Sequence, residues 1–289
     1  MGNWIEKSIK IMLVGGASTS ILVVFLIFLF LGKEAIPFIE EPGLGSLFET
    51  RWIPVTFKQQ AFGVLPLFTG SLVVTVLATI LLLPFGVFGA IYIAEIGSSV
   101  ERSFLKPFIE VRAGIPSVVI GFFGLVVLSP ALKYVFNLNT GLTAITGAIL
   151  LALMAIPTVI SISEDAIRSV PAAYKEASLA LGAGKLQTIF RIIVPAALPG
   201  IIAAIMLGMG RVIGETMAVL MVTGNAAKIT FNPFDSVRTM TATIAAEMGE
   251  VAFGSQHYQA LFWVGLILLV ITFGLNIVAQ KVLRKYQIR

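Results

Sequence analysis

Six long apolar stretches constrain this chain more than any other feature. A helix needs roughly 20 mainly apolar residues to cross a hydrocarbon core about 30 Å thick. Stretches of that kind run over 11–31, 68–94, 115–136, 142–162, 199–222 and 259–280. Of 289 residues only 12% are charged and 57% are hydrophobic, whereas about a quarter of a soluble domain is charged. The chain cannot clothe a globule in polar groups, which excludes an ordinary cytosolic enzyme. It reads as an all-α membrane protein of six transmembrane helices. The first stretch follows Lys7 and Lys10 as a secretory leader would. It outruns the 7–15 apolar residues of such a leader and is followed by no small-residue cleavage site, so a retained anchor helix is expected.

The basic residues predict an orientation. With the N-terminus inside, the inner segments hold Lys7, Lys10, Arg102, Lys106, Arg112, Arg168, Lys175, Lys185, Arg191, Lys281, Arg284, Lys285 and Arg289. The outer ones hold Lys33, Arg51, Lys58, Lys133, Lys228 and Arg238. Thirteen against six favours both termini in the cytoplasm. The net charge of +5 therefore reports topology, and no nucleic-acid partner is expected. No cysteine is present and His257 is the single histidine, so thiolate chemistry and paired-histidine metal sites are excluded. No cofactor is expected.

Three connecting segments are long enough to hold structure. In 32–67, Pro37, Pro42 and Pro54 alternate with Phe38, Phe48, Trp52 and Phe57, aromatics suited to the interface or to covering helix ends. In 223–258, Val237, Met240, Ile244, Met248 and Val251 recur at helical spacing, and Glu247 and Glu250 argue against a seventh span. In 163–198, the acidic residues after Ser163 suit a capped helix start, and Pro171 then redirects the chain. A helix over 172–181 ending at Gly182 is predicted, then a second over 185–193 that stops before Pro195.

Within that loop, Glu176-Ala177-Ser178, Gly182, Ile192 and Pro195 resemble the EAA loop of ABC-importer permeases. The family pattern is Glu-Ala-Ala, three residues, Gly, nine residues, Ile, one residue, Leu-Pro, and this chain departs from it at Ser178 and Val194. The resemblance implies that Ala172, Ala173, Tyr174, Lys175, Glu176, Ala177, Ser178 and Gly182 form a coupling helix that docks on a separate ATP-binding subunit. Read without it, the stretch is an amphipathic surface loop. The chain carries no ATPase site of its own. Gly184-Lys185 lacks the first glycine and the hydroxyl of a phosphate-cradling loop, with Leu179 and Leu186 at those positions.

The fifth stretch contains Arg211 and Glu215, each costing about 2.5–3.5 kcal/mol at mid-membrane. At i and i+4 on one helix they share a face, with Ala204, Gly208, Ala218 and Val222 along the same stripe and Met206, Ile213, Met217 and Leu220 opposite. One reading is a buried ion pair that orients helices. The other is a substrate path, in which arginine's planar fork takes an oxyanion. The carboxylate accepts from an oxygen that keeps its proton, as hydrogen phosphate's does and sulfate's does not.

The run Gly-Arg-x-x-Gly-Glu-Thr-Met-Ala at 210–218, with Thr223-Gly224-Asn225 after it and Ala113-Gly114-Ile115-Pro116-Ser117-Val118-Val119 with Gly121 before it, resembles PstC-type permeases of bacterial phosphate importers. The likeness runs from about residue 68 to the end. It divides the chain into an anchor helix with its outer loop, 1–67, and a permease domain, 68–289. It implies the type I ABC-importer permease fold, with Arg211, Glu215 and Thr216 on the substrate pathway. The implied partners are a homologous PstA-type permease, two ATP-binding subunits and an extracytoplasmic phosphate-binding protein, with a cytoplasmic regulator as an additional one. The setting is the bacterial or archaeal cytoplasmic membrane, and alternating access is the implied mechanism.

Other readings remain open on the residues alone: a permease for phosphonate, molybdate or sulfate, an intramembrane enzyme, or a scaffold. The enzyme lacks paired acids, a serine–lysine dyad or histidine ligands. The scaffold leaves the intramembrane charges without a purpose. Pro84 with Gly86 and Gly89 marks a kink or a gate hinge. Pro157 frees a carbonyl that Ser161 or a neighbouring helix can meet. Asn225 suits a helix cap or a receptor contact, and His257 an interfacial position.

Overall fold

The structure is a computed structural model that describes residues 2–56, 60–111 and 114–286. Phe57, Lys58, Arg112, Ala113 and Arg289 lie outside the described residues. Helix α1 (Gly2–Ala35) and the short α2 (Pro37–Glu40) lead through a 3-10 turn to a small antiparallel pair, β1 (Trp52–Ile53) and β2 (Ala61–Phe62). Then come α3 (Leu65–Ile91), prolonged by a π turn at Tyr92–Ile96, and α4 (Ser99–Val111). Next, α5 (Ser117–Phe123) and α6 (Ser129–Val135) join through a π turn at Gly124–Leu128. Helices α7 (Ala144–Arg168) and α8 (Ala172–Ala180) follow. A further π turn, Ile189–Ile193, joins α9 (Lys185–Thr188) to α10 (Val194–Gly214). The chain ends in α11 (Met217–Val222), α12 (Met240–Glu247) and α13 (Gln256–Tyr286). Among the described residues six helices are long and apolar enough to cross a membrane: Glu6–Glu40, Leu65–Ile96, Ser117–Val135, Ala144–Arg168, Lys185–Gly214 and Gln256–Lys281. The protein is a multi-pass, all-α membrane protein.

Helices α3, α7 and α10 make the centre, where Leu82, Val159 and Ala204 have no exposed surface. Small residues permit their approach, as expected where no hydrophobic effect drives helices together in lipid. A Cβ on Gly208 would lie 2.6 Å from Val159 Cγ2. Helix α3 runs through Pro84 unbroken, with Gly86 against Val159. Helix α1 lies at the edge against α13, tied where Trp263 Nε1 donates to the Ala35 carbonyl at 2.7 Å.

Two expectations for 163–198 are corrected. Ser163-Glu164-Asp165 starts no helix; it lies in the last turns of α7. Glu164 is fully buried there because Lys106 Nζ of α4 approaches it at 2.8 Å and Arg168 Nη1 at 3.1 Å. The same contact raises the Lys106 pKa. Nor does the helix over 185–193 stop before Pro195. The π turn lets the Val194 N–H bond to the Ile189 carbonyl, and Pro195 enters the first turn of α10, where its missing N–H costs nothing.

At the opposite end of the bundle, α12 forms where the spacing of Met240, Ile244 and Met248 predicts it. Glu247 closes it and is largely buried. Its carboxylate accepts from Trp52 Nε1 at 3.0 Å and Arg238 Nη1 at 2.5 Å, and it pairs with His257 Nε2 at 2.8 Å. His257 is thus a structural partner of the 32–67 segment's fold. Burial alone would push the Glu247 pKa up. The hydrogen bonds from His257 and Trp52 and the charge of Arg238 outweigh it and hold it below the usual 4.5. A depressed carboxylate contributes stability above its unfolded value and loses it as pH falls through the folded one. Thermal unfolding in detergent should therefore show a melting temperature that drops below pH 4.5. Glu247→Leu, which strands Arg238, should cost about 3 kcal/mol and flatten that drop, whereas the exposed Glu250→Gln should change neither.

Candidate functional site

The fifth span is discontinuous, and this corrects the reading of Arg211 and Glu215 as neighbours on one helix. Helix α10 ends at Gly214, and Glu215 is extended at φ −70° and ψ 133°. Gly208 packs on Val159 and Gly147 on Thr223, so the break lies between those contacts, alongside the middle of α7. Glu215 Oε1 accepts from the Thr216 N–H at 3.1 Å and the Ala218 N–H at 3.3 Å, covering the start of α11. Thr216 Oγ1 donates to the Gly214 carbonyl at 3.2 Å. From α12, Thr241 Oγ1 donates to the Glu215 carbonyl at 2.8 Å. Side chains thus replace the helical bonds that the break removes, as hydrocarbon requires.

Arg211 stands apart from this repair. It is exposed on the single chain, and its guanidinium makes no hydrogen bond or ion pair with any described residue. Gly210 and Gly214 beside it face open space. The rest of the predicted stripe points elsewhere: Ala204, Gly208, Ala218 and Val222 are buried in the core. Their smallness serves close packing against α3, α5 and α7 rather than a cavity. Met206 and Ile213 line a 120 Å³ crevice with Thr272 and Asn276 of α13. Asn225 is the predicted cap, its Nδ2 donating to the Leu220 carbonyl at 2.7 Å.

At the far end of the fold, α8 forms where predicted. Gly182 adopts φ +85°, and bonds from Gly182 N to the Leu179 carbonyl and Ala183 N to the Ser178 carbonyl end the helix in a Schellman turn. Ala172, Ala173, Tyr174, Glu176, Ala177 and Gly182 are exposed, and Lys175 and Ser178 lean on the bundle. The eight loop residues therefore come together on one short helix and its cap. Glu215 and Thr216 meet at the break, remote from that helix, and Arg211 stands in the last turn of α10 before it. Thr241 and Glu95 were not legible as partners of these groups, since they act across 26 and 80 residues of sequence.

The chain is thus a six-span bundle with an interrupted fifth span and a short exposed helix before that span. The bacterial alginate ABC transporter, solved in complex with an alginate pentasaccharide-bound periplasmic protein, has this fold. The match has a TM-score of 0.65 over 99% of this chain and 98% of that one, at 16% identity. Residues 86–287 match the family described as the binding-protein-dependent transport system inner membrane component, and the chain belongs to it. A probable ABC transporter permease protein of Bacillus subtilis, YqgH, is 43% identical over 222 residues, 77% of this chain and 72% of that one. The phosphate transport system permease protein PstC of Mesorhizobium japonicum is 34% identical over 266 residues, 86% and 80% of the two chains.

If Thr241 repairs the break, Thr241→Val should leave the Glu215 carbonyl unmet and destabilise the protein by about 1–3 kcal/mol, lowering its melting temperature in detergent. Thr241→Ser should restore it.

Proposed function

We propose that this permease carries phosphate, as one half of the pore of an ATP-driven importer whose ATPase is a separate chain. The observation that carries the reading is Arg211, a cation in a membrane-spanning segment with no partner among the described residues. An arginine left unpaired in hydrocarbon is too costly to be idle, and such residues face a water-filled path or a neighbouring subunit. Beside it, Glu215 spends Oε1 on backbone N–H groups. Oε2 is left free to accept from a protonated oxygen. A fork that donates and a carboxylate that only accepts suit hydrogen phosphate better than a fully ionised oxyanion. Broken membrane helices elsewhere hold substrate at the break, and the relatives named as phosphate permeases support the same substrate.

In this reading the pore is completed by a homologous permease of the PstA type, phosphate arrives on an extracytoplasmic binding protein, and both termini lie in the cytoplasm. The helix α8 docks on the ATP-binding subunit. Tyr174 and Leu181, 52% and 89% exposed, are apolar surface that an ATPase groove would cover. Closure of the ATP-bound subunits would draw the two permeases' docking helices together and open the pore outward. Hydrolysis would reverse this.

In liposomes holding the complete complex, Arg211→Ala should lower labelled-phosphate uptake about tenfold or more, the worth of one charge-assisted hydrogen bond, without loss of assembly. Full activity would return the residue to a structural role. Glu176→Lys and Gly182→Asp should release the ATP-binding subunit or uncouple its hydrolysis from uptake. Unchanged co-purification and coupling in both would refute the docking assignment.

A further inference from the structure

Helix α8 touches the bundle through two polar side chains one turn apart, and both reach the edges of π turns. Lys175 Nζ lies 2.6 Å from Glu95 Oε2, within the π turn that ends the second span. The Ser178 and Thr188 hydroxyls lie 2.9 Å apart, and Thr188 immediately precedes the π turn that opens the fifth span. The two turns pack on each other, with Ile91 and Ala94 of one side sharing a buried cluster with Ile189 and Ile193 of the other. Glu95 is nearly buried, and Lys175 is its one ion-pair partner among the described residues.

A second cation grips the same π turn. Arg102 of α4 donates from Nε and Nη2 to the Ile93 carbonyl at 2.9 and 2.7 Å, and from Nη2 to the Ala94 carbonyl at 2.6 Å. Those carbonyls are among the last of the helix and have no partners within it. One turn further along α4, Lys106 holds Glu164 of α7. The chain of contacts runs from α8 through Glu95 to the π turn that prolongs α3, and through Arg102 to α4. Helix α3 in turn reaches the fifth span and its support: a Cβ on Gly208 of α10 would lie 3.2 Å from Leu82 Cδ2, and Ser71 Oγ accepts from the Met240 N–H of α12 at 2.9 Å. A π turn closes its hydrogen bonds one residue wider than the helix around it, and such turns are frequent at functional sites.

We propose that Glu95 is a positioning residue for energy coupling: its ion pair with Lys175, on the π turn that Arg102 also grips, is the link through which α8 moves α4 and the second span. Exposed ion pairs contribute little to stability, whereas this one, with Glu95 nearly buried, joins α8 to the end of the second span. The inference rests on the reading of α8 as the ATPase-docking helix, and it adds the inward side of that helix to the outward side already assigned.

The test uses the complete complex in liposomes, with ATP-binding subunit retention, ATP hydrolysis and labelled-phosphate uptake measured together. Glu95→Lys should retain the ATP-binding subunit and hydrolyse ATP at the wild-type rate, while uptake per ATP falls about tenfold, a common size for coupling between sites. Lys175→Glu should lower uptake per ATP similarly. The double exchange, with both substitutions, should recover most of the wild-type ratio, which a merely structural role would not produce. Should either charge reversal disturb assembly, Glu95→Gln against Glu95→Asp replaces it, with uptake per ATP lost in the first and kept in the second. A wild-type ratio in Glu95→Lys or Glu95→Gln, or a double exchange no better than its components, would overturn the proposal. Failure of the docking assignment is separate, because there Glu176→Lys would leave subunit retention and hydrolysis untouched.

Discussion

Hydrocarbon offers no water to an unpaired backbone group, and the structure depends on how the fifth span meets that constraint. Interrupting a helix inside a membrane strands several N–H and C=O groups, each costing several kcal/mol. Here the Glu215 carboxylate covers the start of α11, Thr216 covers the end of α10, and Thr241 reaches in from α12 to the carbonyl between them. The break is therefore a built feature, and α12 is held in place partly to support it. With Glu215 Oε1 committed to the backbone in this way, Arg211 is left without a partner among the described residues. An element that is both polar and stable at that depth can serve an ion that the surrounding helices exclude.

The ends of the bundle use charge differently. At one end Glu247 gathers Arg238, His257 and Trp52, tying the α12 segment to the small β pair. At the other, Glu164, Lys106, Arg168, Glu95, Lys175 and Arg102 form a girdle around α4, α7 and α8. The first network fixes a surface. The second joins separate helices through long, partly exposed side chains, an arrangement that tolerates relative movement. Between them lies a core of alanine, glycine and β-branched residues, packed too closely to deform except by sliding.

Much of this was legible in the sequence. Apolar length alone predicts the six crossings, and the spacing around Gly182 predicts α8 and its left-handed cap. The i, i+4 rule failed at Arg211 and Glu215 because it assumes a continuous helix, although Gly208, Gly210 and Gly214 lead up to the break as glycines do in interrupted membrane helices. What ends α10 is a carboxylate that caps the next helix and a threonine 26 residues away, a tertiary cause invisible to periodicity. Likewise Glu164 resembled a helix start until Lys106, 58 residues earlier in the chain, was seen to neutralise it. The stripe of small residues leaves room for a cavity or for a close neighbouring helix, and the structure shows the second, with Gly208 against Val159 and Ala218 against Gly121.

The central claim is that this permease carries phosphate past Arg211 and Glu215. Its most direct test is ATP-driven, binding-protein-dependent uptake of labelled phosphate into liposomes bearing the complete complex, wild type against Glu215→Gln, with sulfate in excess. The account predicts wild-type uptake that is indifferent to sulfate and a marked loss in the variant, in which an amide replaces the free carboxylate oxygen. Sulfate carried as readily as phosphate, with Glu215→Gln transporting at the wild-type rate, would contradict it.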